Sequence, residues 1–288
     1  MEIAVVTGTS SGIGYATSLR LARHGYRVFA GMRDPGKAGP LQEAARDEDV
    51  AVEVVPLDVT DDGSVAAAFE RIAGHGPVDV LVNNAGIGGA TPLELVPEAE
   101  HRAMFETNYF GAVRCIRQVL PTMRERARGA IVNITSVAGL LAVPNQIPYS
   151  ASKWALECLG EALAHEVRRF GVRVVNVEPG VVMTRIFENA AESTRYDKTS
   201  PYRQLMRRNG KMFAAGFRDP AQPEDVAETI LAAVTTNDYR LRWPVGQDAR
   251  GIAAGRPQVS DEAWVALGDA LDDEDYNRAF KGWFGIDL

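Results

Sequence analysis

Short apolar runs alternate along this chain with longer stretches in which apolar residues recur every three or four positions. The runs 3–7, 27–31, 50–57, 78–83, 130–135 and 172–177 are nearly continuous in Val, Ile, Leu and Ala. That is the pattern of parallel strands covered on both faces, where neither side of the pleat meets water. Between them the spacing predicts helices over 13–25, 37–47, 62–74, 98–125 and 149–170. Strand, helix, strand in this rhythm predicts an α/β fold, a doubly wound parallel sheet of Rossmann type in a single domain over 1–288. After about residue 184 the regularity fades. The segment 184–223 mixes Phe187, Tyr196, Tyr202, Met206, Met212, Phe213 and Phe217 with Arg, Asn and Gly, and its length reads as a substrate lid. Pro223 opens a helix in PEDVAETILAAV, with acids in the first turn as the helix dipole favours. The segment 237–288 reads as a C-terminal extension with one more helix over 260–280 and no legible motif.

Composition narrows the function classes. With 288 residues, 46% hydrophobic and 24% charged, the chain can bury one substantial core as an ordinary globular domain. A net charge of −7 argues against nucleic acid as partner, since phosphate binding wants a basic face. The two cysteines, Cys115 and Cys158, are too few for a disulfide framework, which fits a reducing cytoplasmic setting. No Cys or His stands at ligand spacing from either, so no metal site is expected, and both read as small buried apolar residues. The opening MEIAVVTG lacks a basic lead and a cleavage signal, and no stretch reaches the ~18 apolar residues of a membrane span. The expectation is a cytoplasmic protein without a membrane span.

Chemistry enters directly after the first run, in TGTSSGIG. Gly8, Gly12 and Gly14, with Ser10, Ser11 and Ile13 between them, fall at a strand-to-helix turn. Glycines there let the backbone turn sharply and approach a pyrophosphate, which the free N–H groups and positive end of the helix attract. A second cluster comprises Ser136 in VNITS, just past the fifth run, and Tyr149 and Lys153 in YSASK. Tyr149 and Lys153 share one face of a helix, a turn apart. Reduction of a carbonyl needs a proton donor and stabilisation of developing negative charge. Tyr149 is the candidate acid/base and Lys153 its tuner. A phenol ordinarily ionises near pH 10, and the lysine cation, with a positive nicotinamide, is expected to lower it.

The glycine spacing, followed in order by NNAG at Asn83–Gly86, YSASK and PGVVMT, resembles the main branch of the short-chain dehydrogenase/reductase family. The likeness runs to about residue 184. It implies that Asn84, Ala85 and Gly86 line a cofactor cleft and that Asp58, with Val59 in LDVTD, binds the adenine amino group. A polar cap ahead of VAAAF explains Asp58 equally. It also implies that Pro179, Gly180, Val182 and Thr184 contact the nicotinamide and that Lys153 holds a ribose hydroxyl. Ser136 would orient the substrate oxygen, and Asn108, in FETNYFG, would hold a proton-relaying water. A carboxylate at the end of the second strand would mark NAD; Met32 stands there, followed by Arg33, whose planar fork suits a 2′-phosphate. With Ser11 as a further donor, this arrangement resembles the NADP-preferring estradiol 17β-dehydrogenase and retinol-dehydrogenase members, and NADP(H) is the expected cofactor. Asp34 would enter the pocket if the strand were two residues longer, and otherwise caps the turn entered through Pro35.

Ser136, Val143, Asn145, Gln146 and Tyr149 are expected to face the substrate. The apolar lid points to a lipophilic ketone or secondary alcohol of steroid, retinoid or polyketide type. In relatives the helices over 98–125 and 149–170 form dimers and tetramers, so a homodimer or homotetramer is expected. Two readings compete: a catalytically silent dinucleotide-sensing regulator or scaffold of the same fold, and an enoyl reductase, epimerase or dehydratase of the wider superfamily. YSASK, NNAG and the glycine spacing weigh against them.

Overall fold

Seven strands form one parallel sheet, because the inner strands are mostly apolar on both faces and helices cover each face. A computed structural model describes residues 1–186, 199–269 and 272–288. The strands are β1 (Ile3–Thr7), β2 (Arg27–Met32), β3 (Val52–Pro56), β4 (Val78–Asn83), β5 (Gly129–Ile134), β6 (Val172–Pro179) and β7 (Arg242–Val245). They lie in the order β3-β2-β1-β4-β5-β6-β7, every neighbouring pair parallel. Strand order reverses between β1 and β4, which is where ligands settle in such sheets. The six expected strands are present within a few residues. β7 has no counterpart among them: four residues, RWPV, carry too little periodicity to be read.

Helices α1 (Gly12–Arg23), α2 (Gly39–Asp47), α3 (Asp62–Ala73) and α6 (Ile147–Val167) follow the expected pattern. The stretch 98–125 is not one helix. A π turn at Glu106–Phe110 joins α4 (Glu98–Phe105) to α5 (Gly111–Glu125), and such bulges concentrate at functional sites. The segment expected as a lid contains α7 (Arg203–Gly216); Phe187 and Tyr196 lie outside the described residues. Beyond α8 (Pro223–Thr235) come α9 (Gln247–Gly255), α10 (Asp261–Ala266) and α11 (Asp273–Phe284). The single helix expected over 260–280 is thus two. Ser260 caps the first through Ala263 N at 3.1 Å, and Asp272 caps the second through Asp275 N at 2.8 Å; a second N-cap restarts the backbone ladder and ends the first.

One face of the sheet packs on α3, α5 and α6 through Phe69, Ile72, Ile116, Val119 and Leu163. The other packs on α1 and α8 through Leu21, Val226 and Ile230. Cys115 is buried in the first layer, its thiol pushed up to about 12 by desolvation. Cys158 corrects the expectation, because it is exposed on α6. A third cluster holds the C-terminal helices to the loop after β5: Leu141 and Val143 join Ile252, Tyr276, Phe280 and Phe284. Phe280 is fully buried and meets Phe284 edge-on at 4.7 Å. Phe280→Ala should therefore cost about 3–5 kcal/mol, read as a lower urea midpoint by circular dichroism; an unchanged midpoint would show that this cluster contributes little. Among the described residues no helix is long and apolar enough to cross a membrane, and no group of three His, Cys, Asp or Glu could hold a metal ion.

Candidate active site

The glycine loop is built by backbone geometry. Gly8 (φ +69°) and Gly12 (φ +58°) take left-handed conformations that L side chains rarely adopt. A Cβ on Gly8 would stand 2.8 Å from the Ala85 Cα, and one on Gly14 would collide with the Gly8 carbonyl and lie 2.6 Å from Asn84 Nδ2. The loop is pinned to the segment after β4: Asn84 N and Ala85 N each donate to Thr7 Oγ1 at 2.9 Å, and Asn84 Nδ2 donates to Thr7 O and Gly8 O. At the start of α1, Ser11 has extended backbone and makes no side-chain cap, and no acid occupies the first turn. The first N–H groups of that helix are left to an outside anion. Gly8, Ser10, Ser11, Gly12, Ile13, Asn84, Ala85 and Gly86 all line a cavity of about 680 Å³. Gly14 does not line it, and instead permits the close approach beneath. This cradle, which a Cβ would fill, fits the pyrophosphate of a dinucleotide.

Met32, Arg33, Asp58, Val59 and Thr60 line the same cavity, joined by Lys37, which sequence reasoning missed. A short 3₁₀ turn, Pro35–Lys37, carries that side chain to the rim; only the turn geometry reveals it. Asp34 does not line the cavity, and its Oδ1 accepts from Gly36 N at 2.9 Å, the capping role. Asp58 Oδ1 accepts from Thr60 N at 3.0 Å and Thr60 Oγ1 at 2.7 Å. Burial would raise its carboxyl, but the Thr60 bonds and the Arg33 charge outweigh that and hold it below the usual carboxylate range. The cap of α3 falls to Asp61, which accepts from Ser64 N at 2.6 Å.

Ser136, Tyr149 and Lys153 converge on the cavity between this end and the C-terminal wall. Ser136 is buried at the end of β5, where its Oγ accepts from Ala138 N at 3.1 Å. Lys153 is 4% exposed; its Nζ lies 5.8 Å from the centroid of the Tyr149 ring and donates to Ile134 O at 2.8 Å. Burial pushes this lysine down to about 8, opposed by the Glu157 charge. The expected lowering of the Tyr149 phenol is not found in the protein alone. Desolvation pushes it above its ordinary value, and the Ser136 hydroxyl only partly opposes this. The side chains present therefore hold the phenol protonated at neutral pH, the form that donates.

Asn108 is buried in the π turn and does not line the cavity. Its Oδ1 accepts from Ile87 N at 2.8 Å, and its Nδ2 donates to Ile87 O and Ser152 Oγ at 3.0 Å. The amide thus clamps the backbone after Gly86 to α6. Pro179, Gly180, Val182 and Thr184 line the cavity. A Cβ on Gly12 would meet Thr184 Cγ2 at 2.9 Å, so this segment closes over the glycine loop. Asp248 on α9 accepts from Val181 N at 2.7 Å and fixes the same segment from the C-terminal region, a link with no sequence signal.

Val143, Asn145 and Gln146 are buried and line the same cavity. Asn145 takes a left-handed φ of +64°, which Asn tolerates better than most residues. Met206, Met212 and Phe213 of α7 and Phe217 just after it, with Ile252 and Ile286 from the C-terminal region, complete the wall. The extension, which carries no legible motif, supplies part of the pocket.

Residues 2–195 match the short chain dehydrogenase family model. Retinol dehydrogenase 8 of Bos taurus is 40% identical over 251 residues, covering 83% of this chain and 79% of that protein. The 17-beta-hydroxysteroid dehydrogenase type 1 of Homo sapiens is 38% identical over 255 residues, covering 84% and 76%. A crystal structure of a short-chain dehydrogenase from Streptomyces avermitilis superposes with a TM-score of 0.80 at 33% identity, covering 98% of both chains. With its parallel seven-stranded sheet and this cavity at the strand ends, the chain belongs to the short chain dehydrogenase family of oxidoreductases.

Proposed function

We propose that this protein is an NADP(H)-dependent oxidoreductase that interconverts a lipophilic ketone and its secondary alcohol. One observation carries the reading: Ser136, Tyr149 and Lys153 face the same cavity as a backbone anion cradle whose rim carries Arg33 and Lys37. Ser10, Ser11 and the N–H groups of α1 would hold the pyrophosphate, Arg33 and Lys37 the 2′-phosphate, Asp58 and Val59 the adenine side, and Pro179 to Thr184 the nicotinamide side. Bound there, the dinucleotide supplies or accepts a hydride. Ser136 donates a hydrogen bond to the substrate oxygen and fixes its direction. Tyr149 passes its phenolic proton to that oxygen as negative charge develops, and Lys153 stabilises the phenolate left behind. The apolar wall of Val143, Met206, Met212, Phe213 and Ile286 supports a substrate of steroid, retinoid or polyketide character and displaces water from the reacting groups. Exposed Phe110, Ile147 and Trp154 near the start of α5 and on α6 support self-association through these helices.

The test is a spectrophotometric screen for NADPH consumption against ketones and aldehydes of graded size and polarity, repeated with NADH. Turnover of apolar ketones with NADPH in preference to NADH is expected. Tight NADPH binding without turnover of any carbonyl would refute the enzyme reading and favour a dinucleotide sensor.

A further inference from the structure

A polar rung crosses the buried sheet beneath the site. Asn83 on β4 pairs in register with Asn133 on β5, Asn133 with Asn176 on β6, and Asn176 with Arg242 on β7. Side-chain bonds follow the register: Asn83 Nδ2 donates to Asn133 Oδ1 at 3.0 Å, and Asn133 Nδ2 to Asn176 Oδ1 at 3.2 Å. Asn176 Nδ2 then donates to Glu157 Oε2 at 2.8 Å, and Arg242 Nε donates to the same oxygen at 3.0 Å. An ionised carboxylate only accepts, so Glu157 sets the direction of all three amides. Gly160 makes the junction possible, because any Cβ there would collide with Asn176 Oδ1.

Glu157 lies one helical turn after Lys153 and two after Tyr149, on the same face of α6. It is 4% exposed, and its Oε1 has no hydrogen-bond partner among the described residues. A Cβ on Gly139 would stand 2.9 Å from Glu157 Cγ and 3.1 Å from Lys153 O, so the same side chain supports the turn that follows Ser136. We propose that Glu157 is a positioning residue: anchored by Asn176 and Arg242, its carboxylate holds Lys153 as a cation and seats the Ser136 turn.

Charge bookkeeping around the pair is consistent. The groups facing Lys153 are Tyr149 and Glu157 on its own helix, the Ile134 carbonyl on β5 and, across Gly86, the neutral Asn108 amide. Around Glu157 stand Arg242 on β7, Glu178 on β6 and Glu161 on α6. Glu178 is raised to about 8 by burial and the Glu157 charge, against Arg242. Its Oε1 stands 3.4 Å from Arg242 Nε, so Glu157 and Glu178 share that guanidinium.

This proposal rests on Lys153 as the working cation, and its test separates the two readings. Lysine carrying ¹³Cε and ¹⁵Nζ is incorporated at the five lysines, and the Lys153 signal, identified by Lys153→Arg, is titrated without substrate. In Glu157→Gln the Lys153 titration should move down by about half a pH unit or more, and the alkaline limb of kcat/KM should move with it. Glu157→Asp, which keeps the charge, should restore both. Because the Gln variant removes one of the carboxylates paired with Arg242, the double variant Glu157→Gln/Arg242→Met serves as the control for folding and should show a displacement in the same direction, reduced by loss of the Arg242 charge. An unchanged Lys153 titration in a folded variant, or an Asp variant that behaves like Gln, overturns the proposal. A wild-type protein that reduces no carbonyl fails the proposed function instead, with the lysine titration still readable.

Discussion

Tyr149→Phe should lower kcat for carbonyl reduction by about 10²–10⁴-fold, the usual contribution of a positioned general acid, while NADPH binding followed by fluorescence stays essentially unchanged. The ring stays where it packs, and only the hydroxyl that carries the proton is lost. The phenol sits above its ordinary value because desolvation disfavours the phenolate, with the Ser136 hydroxyl in partial opposition; the acid form is therefore present throughout the neutral range. Lys153, lowered to about 8 by burial against the Glu157 charge, is the first of the pair to lose its proton as pH rises. Reduction should accordingly hold through neutral pH and decline above about 8. Near-normal kcat in Tyr149→Phe, or reduction that improves steadily above pH 8, would remove Tyr149 from the reaction.

Arg33→Asp should change the ratio of kcat/KM for NADPH over NADH by about 10²-fold or more in favour of NADH. A hydrogen bond to a charged group contributes about 1.5–3 kcal/mol, roughly 10- to 150-fold in affinity. The introduced carboxylate adds repulsion toward a 2′-phosphate and an acceptor for a 2′-hydroxyl. Arg33 lines the cavity and its charge reaches Asp58, whereas Asp34 is occupied by Gly36 N. Lys37→Ala should move the ratio in the same direction and less, since a mobile exposed ammonium gives up less than a bidentate guanidinium. Equal use of both cofactors by the wild type, or an unchanged ratio in Arg33→Asp, would refute the assignment of the phosphate pocket.

Much of the fold was legible because its signals are local. A run such as VVNV on β6 is apolar at nearly every position, which only a strand covered on both faces tolerates. TGTSSGIG states its own geometry, since Gly8 and Gly12 occupy backbone conformations closed to most other residues. The segment 98–125 shows where local signals stop. Helical periodicity persists through it, and the π turn that seats Asn108 depends on the Ile87 backbone and Ser152, which are distant in sequence. The C-terminal extension was opaque for a related reason. β7 is four residues long, and the value of Asp248, Ile252 and Ile286 lies in contacts with Val181 and the cavity.

The chain's own order of residues determined the parallel α/β layering, the anion cradle after β1 and the Tyr149–Lys153 spacing, because each depends on backbone preference or on one helical turn. Tertiary structure alone decided that Lys37 reaches the rim, that the last helices wall the pocket, and that desolvation raises the Tyr149 phenol. Those outcomes depend on which surfaces meet and how much water they exclude, and such quantities are set by packing between segments far apart in sequence.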